Sequence, residues 1–155
     1  MDPAARADRL VFDTTPDPNA IQAVRDGLIA YNRAQAQDDA FQPLSIVLRD
    51  PTGRVVGGLL GATYWGWLVI EILWVAEGLR GQGHGRTLLA MAEREATRRG
   101  CHHAHLDTMS FQARPFYERV GYTVFGTLCD IPWGHSRYFM QKALDRDAGG
   151  ATGDS

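Results

Sequence analysis

Cysteine is scarce in this 155-residue chain: Cys101 and Cys129 are the only two, and they lie far apart in sequence. That argues against a disulfide scaffold and makes a reducing cytoplasm the expected compartment. No apolar run reaches the ~18 residues that a membrane span requires, so no membrane partner is expected. The opening MDPAARADRL has no apolar core of the kind a secretory signal carries. Neither sign of charge dominates. Sixteen Lys and Arg against eighteen Asp and Glu leave a formal net charge of −2, which implies no broad cationic surface and argues against nucleic acid as a partner. Internal repeats are missing as well.

Hydrophobic residues make up 45% and charged residues 22%, the proportions of an ordinary globular protein, and the length suits one domain with one core. A flexible N-terminus over residues 1–8, one domain over 9–144 and a disordered tail over 145–155 (DRDAGGATGDS) are expected. LVFDTT (10–15) reads as a first strand. After it, Ile21, Val24, Leu28 and Tyr31 fall at helical spacing, with Asp17 or Asn19 as cap and Pro18 in the first turn. DPTG marks a turn between strands at 44–49 and 54–64. WLVIEILWV (67–75) is apolar nearly throughout, as expected of a strand covered on both faces, with Glu71 as the exception.

From Gly83 to about Arg99 the pattern is helical, with Leu88, Leu89, Ala92 and Ala96 as the buried stripe and Gly100 as terminator. CHHAHLDTM is then a strand, FQARPFYERVG a short helix, and YTVFGTL and SRYFMQKAL the closing strands. The expected class is therefore mixed α/β (α+β), without a regular βαβ repeat.

LRGQGHGRTLL (79–89) joins a strand to a helix through Gly81, Gly83 and Gly85. Such a turn is an anion site, because the first helical amides lack internal partners and the helix dipole adds partial positive charge. Two nucleotide loops fail here. A Walker A loop needs Lys where Arg86 stands and Gly where Arg80 stands, and a dinucleotide fingerprint needs Gly at Arg86. What remains is R-x-x-G-x-G, met by Arg80, Gly83 and Gly85.

That pattern resembles the acetyl-coenzyme A loop of the GCN5-related N-acetyltransferase (GNAT) superfamily. The preceding IEILWV (70–75) matches the family's I-E-x-L-x-V strand. Ala113, Phe116, Tyr117, Gly121 and Tyr122 match its A-x-x-F-Y-x-x-x-G-F/Y helix. The resemblance covers roughly residues 10–144. It implies a mostly antiparallel sheet of about six to seven strands, splayed between IEILWV and HLDTM and flanked by helices. It also implies acetyl-CoA as the acetyl donor and direct transfer to an amine.

By the same resemblance, Gln82, Gly83, His84, Gly85 and Arg86 hold the coenzyme pyrophosphate with their amides. Arg80 supports the loop or meets a phosphate, beside Gly81, and Thr87 offers a hydroxyl. Leu73, Trp74 and Val75 line the pantetheine arm, with the Leu73 amide polarising the thioester carbonyl, where negative charge grows during the reaction. Tyr117 matches the general acid beside the coenzyme sulfur, next to Phe116. Glu71 is the candidate base, on the argument that burial in an apolar strand raises its pKa; a structural ion pair or mere orientation of the amine are its other readings. Ser110 stands where the family often has Asn against pantetheine, and its shorter side chain puts that contact in doubt.

CHHAH sends His103 and His105 to one strand face and His102 to the other. Cys101 opens this stretch but Cys129 is distant from it, no ligand set closes, and no metal is expected. The family builds its acceptor pocket from the first helix and its loop, the hairpin strands and the final strands. Here those supply Tyr31, Asp38, Asp39, Tyr64, Trp65, Trp67 and Trp133, which suit a cationic amine on a small molecule or peptide. A homodimer is a further expectation at the level of the family. A non-catalytic acyl-CoA sensor would keep the loop and have no need of Glu71 or Tyr117.

Overall fold

A computed structural model describes residues 8–144. The expected tail at 145–155, and residues 1–7 of the expected flexible N-terminus, lie outside the described residues. The chain divides into two compact units between Asp38 and Asp39.

The first unit holds helix α1, Pro18–Ala36, capped by Asp17, whose carboxylate accepts from the Asn19 amide at 3.0 Å. Its expected stripe of Ile21, Val24, Leu28 and Tyr31 is exposed, and no residue of α1 is buried. LVFDTT at 10–15 is not a strand. Leu10, Val11 and Phe12 are exposed, so no side-chain burial offsets the entropy of ordering that stretch. Its β-branched and aromatic residues express a propensity that only a neighbouring strand can satisfy.

The second unit is a six-stranded sheet flanked by helices. In chain order its elements are β1 (Gln42–Arg49), β2 (Val55–Tyr64), β3 (Trp67–Val75), a short 3₁₀ turn (Glu77–Leu79), α2 (His84–Arg98), β4 (His103–Met109), α3 (Arg114–Arg119), β5 (Thr123–Cys129) and β6 (Ser136–Ala143). The strands lie in the order β1-β2-β3-β4-β6-β5, and β3–β4 is the one parallel pair.

DPTG closes the first hairpin as expected. Asp50 accepts from the Thr52 amide at 2.8 Å, the Thr52 hydroxyl at 2.6 Å and the Arg54 amide at 3.1 Å. Those bonds, led by the Thr52 hydroxyl, hold its carboxyl below the ordinary range.

Leu88, Leu89, Ala92 and Ala96 of α2 are buried against Leu44, Leu59, Leu68, Ile70, Ala104, Leu106 and Met140 of the sheet, and Tyr117 of α3 joins the same core. One strap fixes the end of α2 to the sheet. Arg99 is bonded by Glu95 at 2.9 Å and donates to the carbonyls of Gln42 and Pro43 and to the Thr63 hydroxyl, at 3.1–3.2 Å.

The sheet opens at one place. Parallel pairing of β3 with β4 runs from Trp67↔His103 to Ile70↔Leu106 and stops, although β3 continues to Val75 and β4 to Met109. At the same level β3 carries a bulge against β2. Leu60 is paired with Ile72 and Gly61 with Ile70, so Glu71 is the extra residue. Gly61 permits it, because a Cβ there would overlap the Val69 carbonyl oxygen.

Candidate active site

The glycine loop leads into α2 along the path the sequence indicates. Gly81 and Gly83 take φ of 77° and 84°, the left-handed region that a side chain would resist. Gly83 caps the helix, and its carbonyl accepts from both the amide and the hydroxyl of Thr87, each at 3.0 Å. The Thr87 hydroxyl proton is thereby committed to the loop itself. The amides of His84, Gly85 and Arg86 precede that first bond and have no partner within the helix.

Arg80 Nε donates to the Val75 carbonyl at 3.0 Å and ties the loop to the end of β3. Gly85 lies against Phe116, whose ring would stand 3.6 Å from a Cβ there. The loop thus offers clustered, unpaired amides at a positive helix end, which suits a diphosphate.

Past the bulge, β3 has a partner only on β2. Leu73 and Val75 pack against the core, while Ile72 and Trp74 are 54% and 48% exposed. The expectation that both faces of this strand are covered therefore holds only up to Ile70. Glu71 needs the same correction. It is exposed, and burial, the reason for expecting a strengthened base, is missing. The bulge explains this, since the extra residue has no cross-strand neighbour to pack on.

Tyr117 is buried, with its ring edge-on to Phe116 and Tyr122 at centroid distances of 5.1 and 6.0 Å. Burial, aided by the negative charge of Asp107, pushes its phenol up to about 12, so it holds its proton throughout the neutral range. Asp107 is the first β4 residue past the last pair with β3, and it forms an ion pair with Arg137 of β6 at 2.8 Å. Ser110 is already engaged. Its hydroxyl accepts from the Ser136 amide at 3.1 Å and lies 3.2 Å from Nδ1 of His135.

Of the acceptor candidates, Tyr64 and Trp65 end the β2–β3 hairpin, and Tyr64 Oη lies 2.8 Å from Nε2 of His105. Trp133 is 87% exposed. Tyr31 and Asp38 belong to the first unit and are described only there, where Arg33 and Asp38 form an exposed ion pair at 3.5 Å. Sequence reasoning missed Asp107, Arg137 and His105 as residues of this region. An acid inside an expected strand, as Asp107 is in HLDTM, was the available signal. Among the described residues no group of three or more His, Cys, Asp or Glu could hold a metal ion, and no helix is long and apolar enough to cross a membrane.

A loop of free amides at a helix end, a forked strand pair beside it and a protonated tyrosine on the adjoining helix are all in place. The sequence profile of the acetyltransferase (GNAT) family matches residues 9–122. The chain belongs to the GNAT family. Among its relatives, an acetyltransferase of Agrobacterium fabrum is 42% identical over 132 residues, 85% of this chain and 96% of the relative. Blasticidin-S acetyltransferase of Streptomyces morookaense is 41% identical over 93 residues, 59% of this chain and 68% of the relative. The crystal structure of an acetyltransferase from Agrobacterium tumefaciens superposes with a TM-score of 0.82 at 41% identity, covering 87% of this chain and 98% of the other. The protein is thus an acetyltransferase with a GNAT fold, and the forked sheet is the family's expected splay.

Proposed function

We propose that the protein moves an acetyl group from acetyl-CoA to a primary amine by direct attack, and that the acceptor is a small molecule. The observation that carries the donor half is the loop. The amides of Gln82, Gly83, His84, Gly85 and Arg86 hold the pyrophosphate, Gly81 shapes the turn and Arg80 braces it. Bound acetyl-CoA supplies an activated thioester carbonyl. The open edge of β3 at Leu73, Trp74 and Val75 lies along the pantetheine arm, and the Leu73 amide meets the carbonyl oxygen as it gains charge. Tyr117, kept protonated by burial, gives its proton to the departing sulfur. Glu71, exposed at the mouth of the fork, attracts and orients the ammonium group of the acceptor.

A small-molecule acceptor is supported by the relative named for blasticidin-S, and a peptide N-terminus is the competing acceptor. Cys101 and Cys129 are both free, in keeping with a cytoplasmic setting.

The test is a screen of small-molecule and peptide amines for thiol release from acetyl-CoA. Small amines should turn over. Tyr117→Phe should lower kcat about 100-fold, and Glu71→Gln should act mainly on KM for the amine, by about tenfold. If acetyl-CoA binds and no amine is acetylated, the chain is a non-catalytic acyl-CoA module and the proposal fails.

A further inference from the structure

Amine acetylation must dispose of a proton, and Glu71, out in solvent, is poorly placed to take it. A second set of groups lies on the same stretch of sheet. In β4, Ala104, Leu106 and Thr108 are buried, so the alternate residues His103, His105 and Asp107 occupy the opposite face. Tyr64 follows buried Thr63 and Trp67 precedes buried Leu68, which brings both to that face too. Their contacts bear this out. Tyr64 Oη is 2.8 Å from His105 Nε2, Trp67 stacks on His103 at 4.6 Å, and the edge of His105 meets Trp67 at 5.8 Å and Tyr64 at 6.1 Å. His105 is level with Val69, one pair before the fork opens at Ile70↔Leu106.

We propose that His105 takes the proton shed by the acceptor nitrogen, relayed through the hydroxyl of Tyr64. The assignment rests on the acetyl-transfer reading above.

The chemistry balances. The ammonium held by Glu71 first releases one proton to solvent; the neutral amine nitrogen then bonds to the thioester carbon, the C=O π pair moves to oxygen, and the nitrogen of the adduct becomes positively charged. His105 is level with Val69, four residues from Leu73 on β3, so one N–H proton passes through intervening water to Tyr64 Oη as the proton of that hydroxyl passes to Nε2 of His105. The oxygen pair re-forms C=O, the C–S bond breaks, and the thiolate takes the proton of Tyr117. The products are amide, free thiol, imidazolium at His105 and phenolate at Tyr117. Solvent restores both side chains.

Three features make His105 suited to this. It is half-buried and held by Tyr64 and Trp67, so it is fixed where an exposed carboxylate is not. Tyr64 Oη and Nε2 lie 2.8 Å apart, and the relay requires the Nδ1–H tautomer, in which Nε2 accepts from Tyr64 and can receive a proton along that contact. Burial holds its pKa below the ordinary imidazole range, against the opposing pull of Asp107, so the free base predominates at neutral pH. The titratable or charged groups around it are Tyr64 of β2 and His103 and Asp107 of β4, with Arg137 of β6 paired to Asp107; Gln141 of β6 is level with His105 and uncharged.

The test compares wild type, His105→Gln, Tyr64→Phe and the double variant, using the best amine from the screen. Gln can still accept from Tyr64 but cannot titrate. Each single variant should lose about 30-fold in kcat/KM at pH 7, with affinity for acetyl-CoA within about twofold. The double variant should be no worse than either single one, as one relay demands. The lower limb of the pH–rate profile should lose its His-dependent break, and added imidazole should restore part of the activity of His105→Gln alone. An unchanged profile in His105→Gln, or additive losses in the double variant, would overturn the relay while leaving the acetyltransferase reading intact.

If no form of the protein binds acetyl-CoA, or none acetylates an amine, the reading and the relay fall together. A measurement without any acceptor also decides. Nitrogen-15 NMR of the imidazoles should find the Nδ1–H tautomer at His105, and a proton resident on Nε2 sinks the proposal.

Discussion

The two halves of β3 have similar composition and opposite fates. Trp67–Ile70 pair with β2 on one side and β4 on the other, and Leu68 and Ile70 are buried. Beyond the unpaired Glu71, Ile72–Val75 pair with β2 alone, and Ile72 and Trp74 stay half-exposed. The first half is structural. The second keeps an open edge that an extended ligand can pair with, as added strands do at sheet edges. One inserted residue at Glu71 separates them. It also exchanges which residues face α2, so that Leu73 and Val75 continue the inward series begun by Leu68 and Ile70.

The contrast can be tested from its strongest consequence downward. Leu68→Ala removes a fully buried side chain from the closed half and should cost about 3 kcal/mol in urea unfolding. Gly61→Ala places a Cβ against the Val69 carbonyl at the bulge and should cost about 2 kcal/mol. It should also weaken acetyl-CoA binding more than Leu68→Ala does, because it disturbs the point at which the fork begins.

The strap near Thr63, which is paired with Leu68, gives a pH-dependent test. Hydrogen bonds from Arg98 and then Arg99 lower the Glu95 carboxyl from 4.5 to about 2. A carboxyl depressed on folding stabilises above its unfolded pKa and loses that contribution as pH falls through the folded one. The stability advantage of wild type over Glu95→Gln should therefore be full above pH 4.5 and fade toward pH 2, followed by thermal melts across that window. The smallest effect belongs to the open half, where Ile72→Ala should change stability by less than about 0.5 kcal/mol. A cost near that of Leu68→Ala would mean the second half is as closed as the first.

Much of this was legible in the residues. The loop, α2 with its buried Leu88, Leu89, Ala92 and Ala96, and the DPTG hairpin follow from glycine spacing, helical periodicity and turn chemistry. Those are local properties, set by neighbours within a few positions. The strand expected at 10–15 failed because pairing is not local, and the exposure of Glu71 was hidden because an apolar run carries no mark of a bulge. His105 was visible only as one of three clustered histidines, with nothing in the spacing to give it Tyr64, 41 positions away, as a partner.

The sequence by itself determined the anion loop, the family and the tyrosine matched to the acid role, because each resides in a short run of fixed residue types. Tertiary structure alone decided where the sheet forks, that Glu71 is solvated and that Tyr64 meets His105. Strand register and side-chain exposure depend on which distant segments pair, and a one-residue insertion reverses the face each side chain takes.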